Sequence, residues 1–181
     1  GNLSASIGML IAIIATLIDR QVLNYDMILI GIIIGSLIGA ASAKMVKMTA
    51  MPQMVGLFNG FGGAASALVA VAEFWRLMGM AETMRLDSTV TIILSVLIGG
   101  VTVTGSLIAF GKLQGLVSGS PITFPYQQPF NGVLLVLFIL GGFYLLVSPV
   151  HPVVFLLIAI ISLILGVMFV IPIGGADMPV V

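Results

Sequence analysis

The chain has 181 residues, of which 60% are hydrophobic and 7% charged, with six Lys and Arg against six Asp and Glu and a mean hydropathy of +1.31. Ordinary soluble domains are roughly one quarter charged, so this composition excludes one of them, and zero net charge leaves neither a basic surface for nucleic acid nor an acidic tail. The absence of cysteine excludes disulfides, thiolate catalysis and Cys-ligated zinc, and a single histidine among few carboxylates leaves little from which to build a metal site.

Crossing a hydrocarbon layer of about 30 Å takes about 20 apolar residues in a helix, because only helices and closed barrels satisfy their own backbone in lipid. Strand-like alternation is missing, so the expected fold is all-α: a polytopic transmembrane helix bundle of about six spans, forming a single membrane-spanning domain over residues 1–181. Charge gaps and helix breakers put the spans at about 3–18, 26–46, 51–76, 88–112, 130–148 and 152–172. The first is not a cleavable signal, since no basic segment precedes it and further spans follow.

The second span carries Gly31, Gly35 and Gly39 at every fourth position, a smooth face of the kind that lets membrane helices approach closely. The third lies in a run without Asp, Glu, Lys or Arg from Met48 to Ala72, with Gly56, Gly60 and Ala64 in the same spacing and Gly63 beside them. Near its midpoint stands Asn59, some 11 residues or about 17 Å from the near end of the run. An unpaired amide at that depth costs several kcal/mol, so Asn59 must face a partner helix or water. It serves either as interhelical glue or as a polar station that orders water in a proton-conducting path. Ser66 follows seven residues later on the same face. On the fourth span Ser95, Gly99, Thr102 and Ser106 step by about 3.6 residues, a hydroxyl-lined seam.

From Leu113 to Ala176 no charged residue occurs, and only prolines partition the chain. Pro121, Pro125 and Pro129 mark a loop, Pro149 and Pro152 a hairpin around His151, and Pro172 the end of the sixth span. Asp177 follows, in a position suited to cap a new helix or to stand at the mouth of a membrane path. "TAMPQMV" opens the third span and "ADMPVV" closes the chain, which suggests that Met178 begins another membrane helix and that the chain is a fragment.

Six crossings place Lys44, Lys47, Lys112, the Pro-rich loop and Asp177 on one side of the membrane, the lysine side. Arg20, Arg76 and Arg85 lie on the other with Asp19, Asp26, Glu73, Glu82 and Asp87, so the count of basic residues does not orient the chain. Tyr25 and Trp75 fall near expected interfaces, where aromatic rings are common, and Glu73 and Arg76 are spaced as a surface pair. No Gly-rich phosphate loop, catalytic triad or paired carboxylates are present, so the chain supplies no catalytic residue.

The segments "KMTAMPQMVGLFNGFGGAASALVA", "VTVTGSLIAFGKLQG" and "PIGGADMPVV" resemble the membrane domain of the β subunit of proton-translocating nicotinamide nucleotide transhydrogenase, and the similarity runs over nearly the whole chain. The resemblance implies a domain that couples proton translocation to hydride transfer between NAD(H) and NADP(H). Both nucleotides would bind partner soluble domains, leaving no cofactor on this chain. It also implies a multi-pass protein of the bacterial inner membrane, surrounded by lipid and α-subunit membrane helices in a complex that is a homodimer. The lysine side then becomes cytoplasmic, and Asp177 a gate facing the NADP(H)-binding domain. In many relatives the position of Asn59 is a histidine proposed to take part in proton transfer. An asparagine cannot titrate, so here either water carries the proton past it or the titrating group comes from another subunit. The path implied runs along Asn59, Ser66, Ser95, Thr102 and Ser106. Two other readings stand beside it: half of a secondary transporter, which broken helices would favour, and a structural membrane anchor, in which Asn59 is sealed in a dry hydrogen bond.

Overall fold

A computed structural model describes residues 2–18, 25–79 and 85–178. Six α-helices follow in order: α1 Asn2–Ile18, α2 Tyr25–Met45, α3 Met51–Gly79, α4 Leu86–Leu113, α5 Gln127–Val147 and α6 Pro152–Val170, with a 3-10 turn at Met48–Ala50 leading into α3. Helices α2 to α6 are long and apolar enough to cross a membrane. Helix α1, with 17 residues, rises about 26 Å. Each expected span is therefore a helix. Asp19, Arg20 and Glu82, and the residues after Met178 where a further helix was expected, lie outside the described residues.

The helix ends differ from expectation where proline is involved. Pro129 does not sit in a loop: α5 begins at Gln127, and Pro129 occupies its first turn, where an N–H would have no intrahelical partner anyway. Helix α6 stops at Val170, two residues short of the expected end: Ile171 keeps helical dihedrals and caps it through its N–H to the Val167 carbonyl, but Pro172 has no N–H with which to continue the ladder.

The chain forms two compact units, Gly1–Lys47 and Met48–Val181. In the first, the Tyr25 hydroxyl donates to the Leu17 carbonyl (3.3 Å), and α2 buries none of its residues. The second is a layer of four helices in the order α3, α4, α6, α5, with α4 packed between α3 and α6. The starts of α3 and α5 meet the ends of α4 and α6 at one rim. Gln53 at the start of α3 donates to the Leu113 carbonyl (2.9 Å), and Gln127 at the start of α5 donates to the Met168 carbonyl (3.2 Å).

At the opposite rim lies the apolar core, built from Ala70, Phe74, Ile92, Ile93, Val96, Phe138, Leu145, Phe155 and Ile158. Phe74 of α3 and Phe155 of α6 stack with ring centroids 3.9 Å apart and planes 4° from parallel. Lipid tails are as apolar as these side chains, so burial itself drives little association. Close van der Waals packing must hold the helices together. Small residues supply it. A Cβ on Gly99 would stand 2.7 Å from the Ala67 nitrogen and 2.8 Å from the Gly63 carbonyl oxygen, so α3 and α4 meet backbone to backbone. Gly166 likewise lets α6 press on Val101 and Thr104 of α4.

Candidate functional site

Polar groups are rare in these helices, and several of those in the second unit, Gln53, Asn59, Thr104 and Gln127 among them, bond across the interfaces just described. Gly60 is buried on the α3 face that meets α4, and a Cβ there would come within 3.3 Å of Ser106 Cβ. The missing side chain brings the Ser106 hydroxyl within reach of the neighbouring Asn59. Asn59 Nδ2 donates to Ser106 Oγ at 2.9 Å. Ser106 is 8% exposed, whereas Asn59 lies on the open surface of the unit. The pair therefore joins the α3–α4 interface to that surface near mid-depth.

Thr102, one turn before Ser106, is half-buried against Gly63, and Thr104 bridges helices by donating to the Leu163 carbonyl at 2.8 Å. Thr102 and Ser106 also line a cleft of about 260 Å³ whose far wall is Val170, Ile173 and Met178. Ser106 thus faces Asn59 on one side and, on the other, a space that ends at the residue next to Asp177. The structure brings together Asn59, Thr102 and Ser106 among the expected path residues. Ser95 is half-buried on α4 away from this cleft, and Ser66 is exposed on α3. Gly56, Gly60 and Gly63 all meet α4, with Gly56 only in ordinary contact, 3.8 Å from the Ser106 carbonyl oxygen. Around Gly31, Gly35 and Gly39 a Cβ would meet nothing within 4 Å.

The cleft reaches Ile173 and Met178 at the lysine-side rim, where the Pro-rich loop and the segment after α6 are tied together. Gly175 N–H donates to the Gly119 carbonyl (2.8 Å) and Ile122 N–H to the Ile171 carbonyl (3.2 Å). Asp177 N–H donates to the Gly174 carbonyl (3.1 Å), and its Oδ2 folds so closely over Gly174 that a Cβ there would be 3.0 Å away. Asp177 itself is exposed. Beneath it, Lys112 is 4% exposed and donates through Nζ to the carbonyls of Ile171 (2.6 Å), Ile173 (2.8 Å) and Ser120 (3.3 Å).

Sequence reasoning counted Lys112 as one of three lysines marking a side of the membrane and missed this role. Its one visible signal was its position as the last charge before a long uncharged stretch. Gln53 was missed as well. It bonds α4 directly and accepts from Gln114 (2.8 Å). At the other rim Glu73 and Arg76 form the expected pair (2.6 Å), Trp75 packs edge-on against Phe74 (5.9 Å), and His151 rests against Tyr144 (5.3 Å). Among the described residues no group of three or more His, Cys, Asp or Glu could hold a metal ion.

Comparison with known proteins bears on the whole length. The family model described as NAD(P) transhydrogenase beta subunit matches residues 1–181. The beta subunits of NAD(P) transhydrogenase from Rhodospirillum rubrum and from a named strain of that species are each 42% identical over 185 aligned positions that cover all of this chain. The chain spans 40% of the length of these relatives. With the long apolar helices and the match over every residue, the chain belongs to the NAD(P) transhydrogenase beta subunit family.

Proposed function

We propose that this chain is the proton-conducting membrane domain of a transhydrogenase, coupling proton translocation to hydride transfer between NAD(H) and NADP(H) held on separate soluble domains. The observation that carries the reading is the hydrogen bond from Asn59 to Ser106 beside the cleft that runs to the Asp177 segment. Neither an amide nor a hydroxyl titrates near neutral pH, so these groups order water and do not hold the proton themselves. In this reading the route passes Asn59, Ser106 and Thr102 and reaches Asp177 as the gate toward the NADP(H)-binding domain. Ser66, exposed two turns from Asn59, continues the same open face of α3. That face is where a membrane helix of the α subunit would bring a titrating group and close the path. The remaining partners in this reading are lipid, the soluble nucleotide-binding domains and a second copy of the whole complex, in a bacterial inner membrane.

The anchor reading draws on the same bond, since Asn59 and Ser106 would also glue α3 to α4 if the site stayed dry. The transporter reading finds less support, because α3 to α6 run unbroken through mid-depth. Replacing Asn59 with Leu in the complete enzyme separates conduction from anchoring. Conduction expects proton pumping to stop while hydride exchange between the bound nucleotides stays measurable. Pumping at the wild-type rate would rule the path out.

A further inference from the structure

We infer that Lys112 is a positioning residue that clamps the Asp177-bearing segment and so sets the mouth of the Ser106 cleft; the inference rests on the proton-path reading above. Lysine is seldom fully buried unless it is paired. Among the described residues the ion pairs are Glu73 with Arg76 and Arg85 with Asp87, neither of which includes Lys112. An ammonium taken out of water with no counter-charge is costly unless hydrogen bonds replace its hydration. Here all three N–H donors are directed at carbonyls. Ile171 caps α6, so its carbonyl belongs to the negative end of that helix, where a cation is favoured.

The three carbonyls come from two segments far apart in sequence. Ser120 lies in the Pro-rich loop, and Ile171 and Ile173 in the stretch that leads to Asp177. Ile173 both receives the ammonium and lines the cleft, and the next carbonyl, that of Gly174, receives the Asp177 N–H. The charge on Lys112 therefore acts on the carboxylate through four residues of backbone. Stability alone would be served as well by apolar packing. A charged clamp instead fixes where one acidic side chain stands relative to the cleft.

The test uses the complete enzyme. These 181 residues hold no cysteine, so once cysteines elsewhere in the complete enzyme are replaced, a spin label on Ala176→Cys, beside Asp177 and exposed, is the single label present. In Lys112→Met the label is expected to become mobile, and pumping to fall about tenfold or more, while hydride exchange stays measurable. Lys112→Arg, which keeps the charge, is expected to restore most of both. Where Lys112→Met does not assemble, Lys112→Gln carries the same two readouts with the same expectations. An unchanged label spectrum, or wild-type pumping with a mobile label, overturns the inference. Asp177→Asn separates the two ideas: wild-type pumping in that variant defeats the gate, whereas the label spectrum still decides whether Lys112 is the clamp.

Discussion

Alanine at three glycines of one helix face should do graded damage, because the space each would enter is different. A Cβ on Gly56 would sit 3.8 Å from its nearest neighbour, one on Gly60 3.3 Å, and one on Gly63 2.7 Å from Thr102 Cβ and 2.8 Å from the Val103 nitrogen. Carbon atoms in good contact are about 3.5–4.0 Å apart, so Gly56→Ala fits and Gly63→Ala overlaps by about 1 Å. Part of that overlap is with backbone, which cannot swing aside as a side chain can. Helices α3 and α4 must then part by a similar distance. One turn away the Asn59–Ser106 bond, now 2.9 Å, would stretch to about 3.9 Å, beyond hydrogen-bonding range. Overpacking costs about 1–3 kcal/mol, and the lost interhelical bond adds about 1 kcal/mol. Thermal stability of the detergent-solubilised complex and proton pumping in vesicles should both fall in the order Gly56→Ala, Gly60→Ala, Gly63→Ala. The first should stay close to wild type. If Gly56→Ala proves as damaging as Gly63→Ala, close backbone approach is not what builds the polar pair.

Phe155→Ala removes a fully buried ring stacked on Phe74, and large-to-small changes of this kind cost about 3–5 kcal/mol; a large drop in thermal stability with hydride exchange spared at low temperature is the expected result. Gly35→Leu changes nothing inside α2, where a Cβ would meet no atom within 4 Å. It should instead reduce the yield of assembled complex on native gels, since the glycine face is built for a close neighbour.

Much of this architecture is visible along the chain because the bilayer imposes it. Every backbone polar group in lipid must be satisfied internally, so an apolar run of sufficient length without strand-like alternation is left with the helix. That is why α2, α4 and α6 match their expected spans to within about two residues. The widest misses, three residues each, fell at the start of α5, where Pro129 is tolerated in the first turn, and at the end of α3. The seam of Gly99, Thr102 and Ser106 was also legible from its step along α4. Its partner face on α3 was recognisable only as small residues.

By itself, then, the sequence determined the membrane setting, the helices and the presence of one amide at mid-depth. Only the tertiary structure decided that Asn59 meets Ser106, that Ser95 stands apart from the cleft, and that Lys112 is buried on carbonyls some 60 residues away. The physical reason is that period and composition are local, being set by backbone hydrogen bonding within each helix. Partners across helices are chosen by which glycines allow two backbones to touch, and by where a charge denied water can find acceptors in their place.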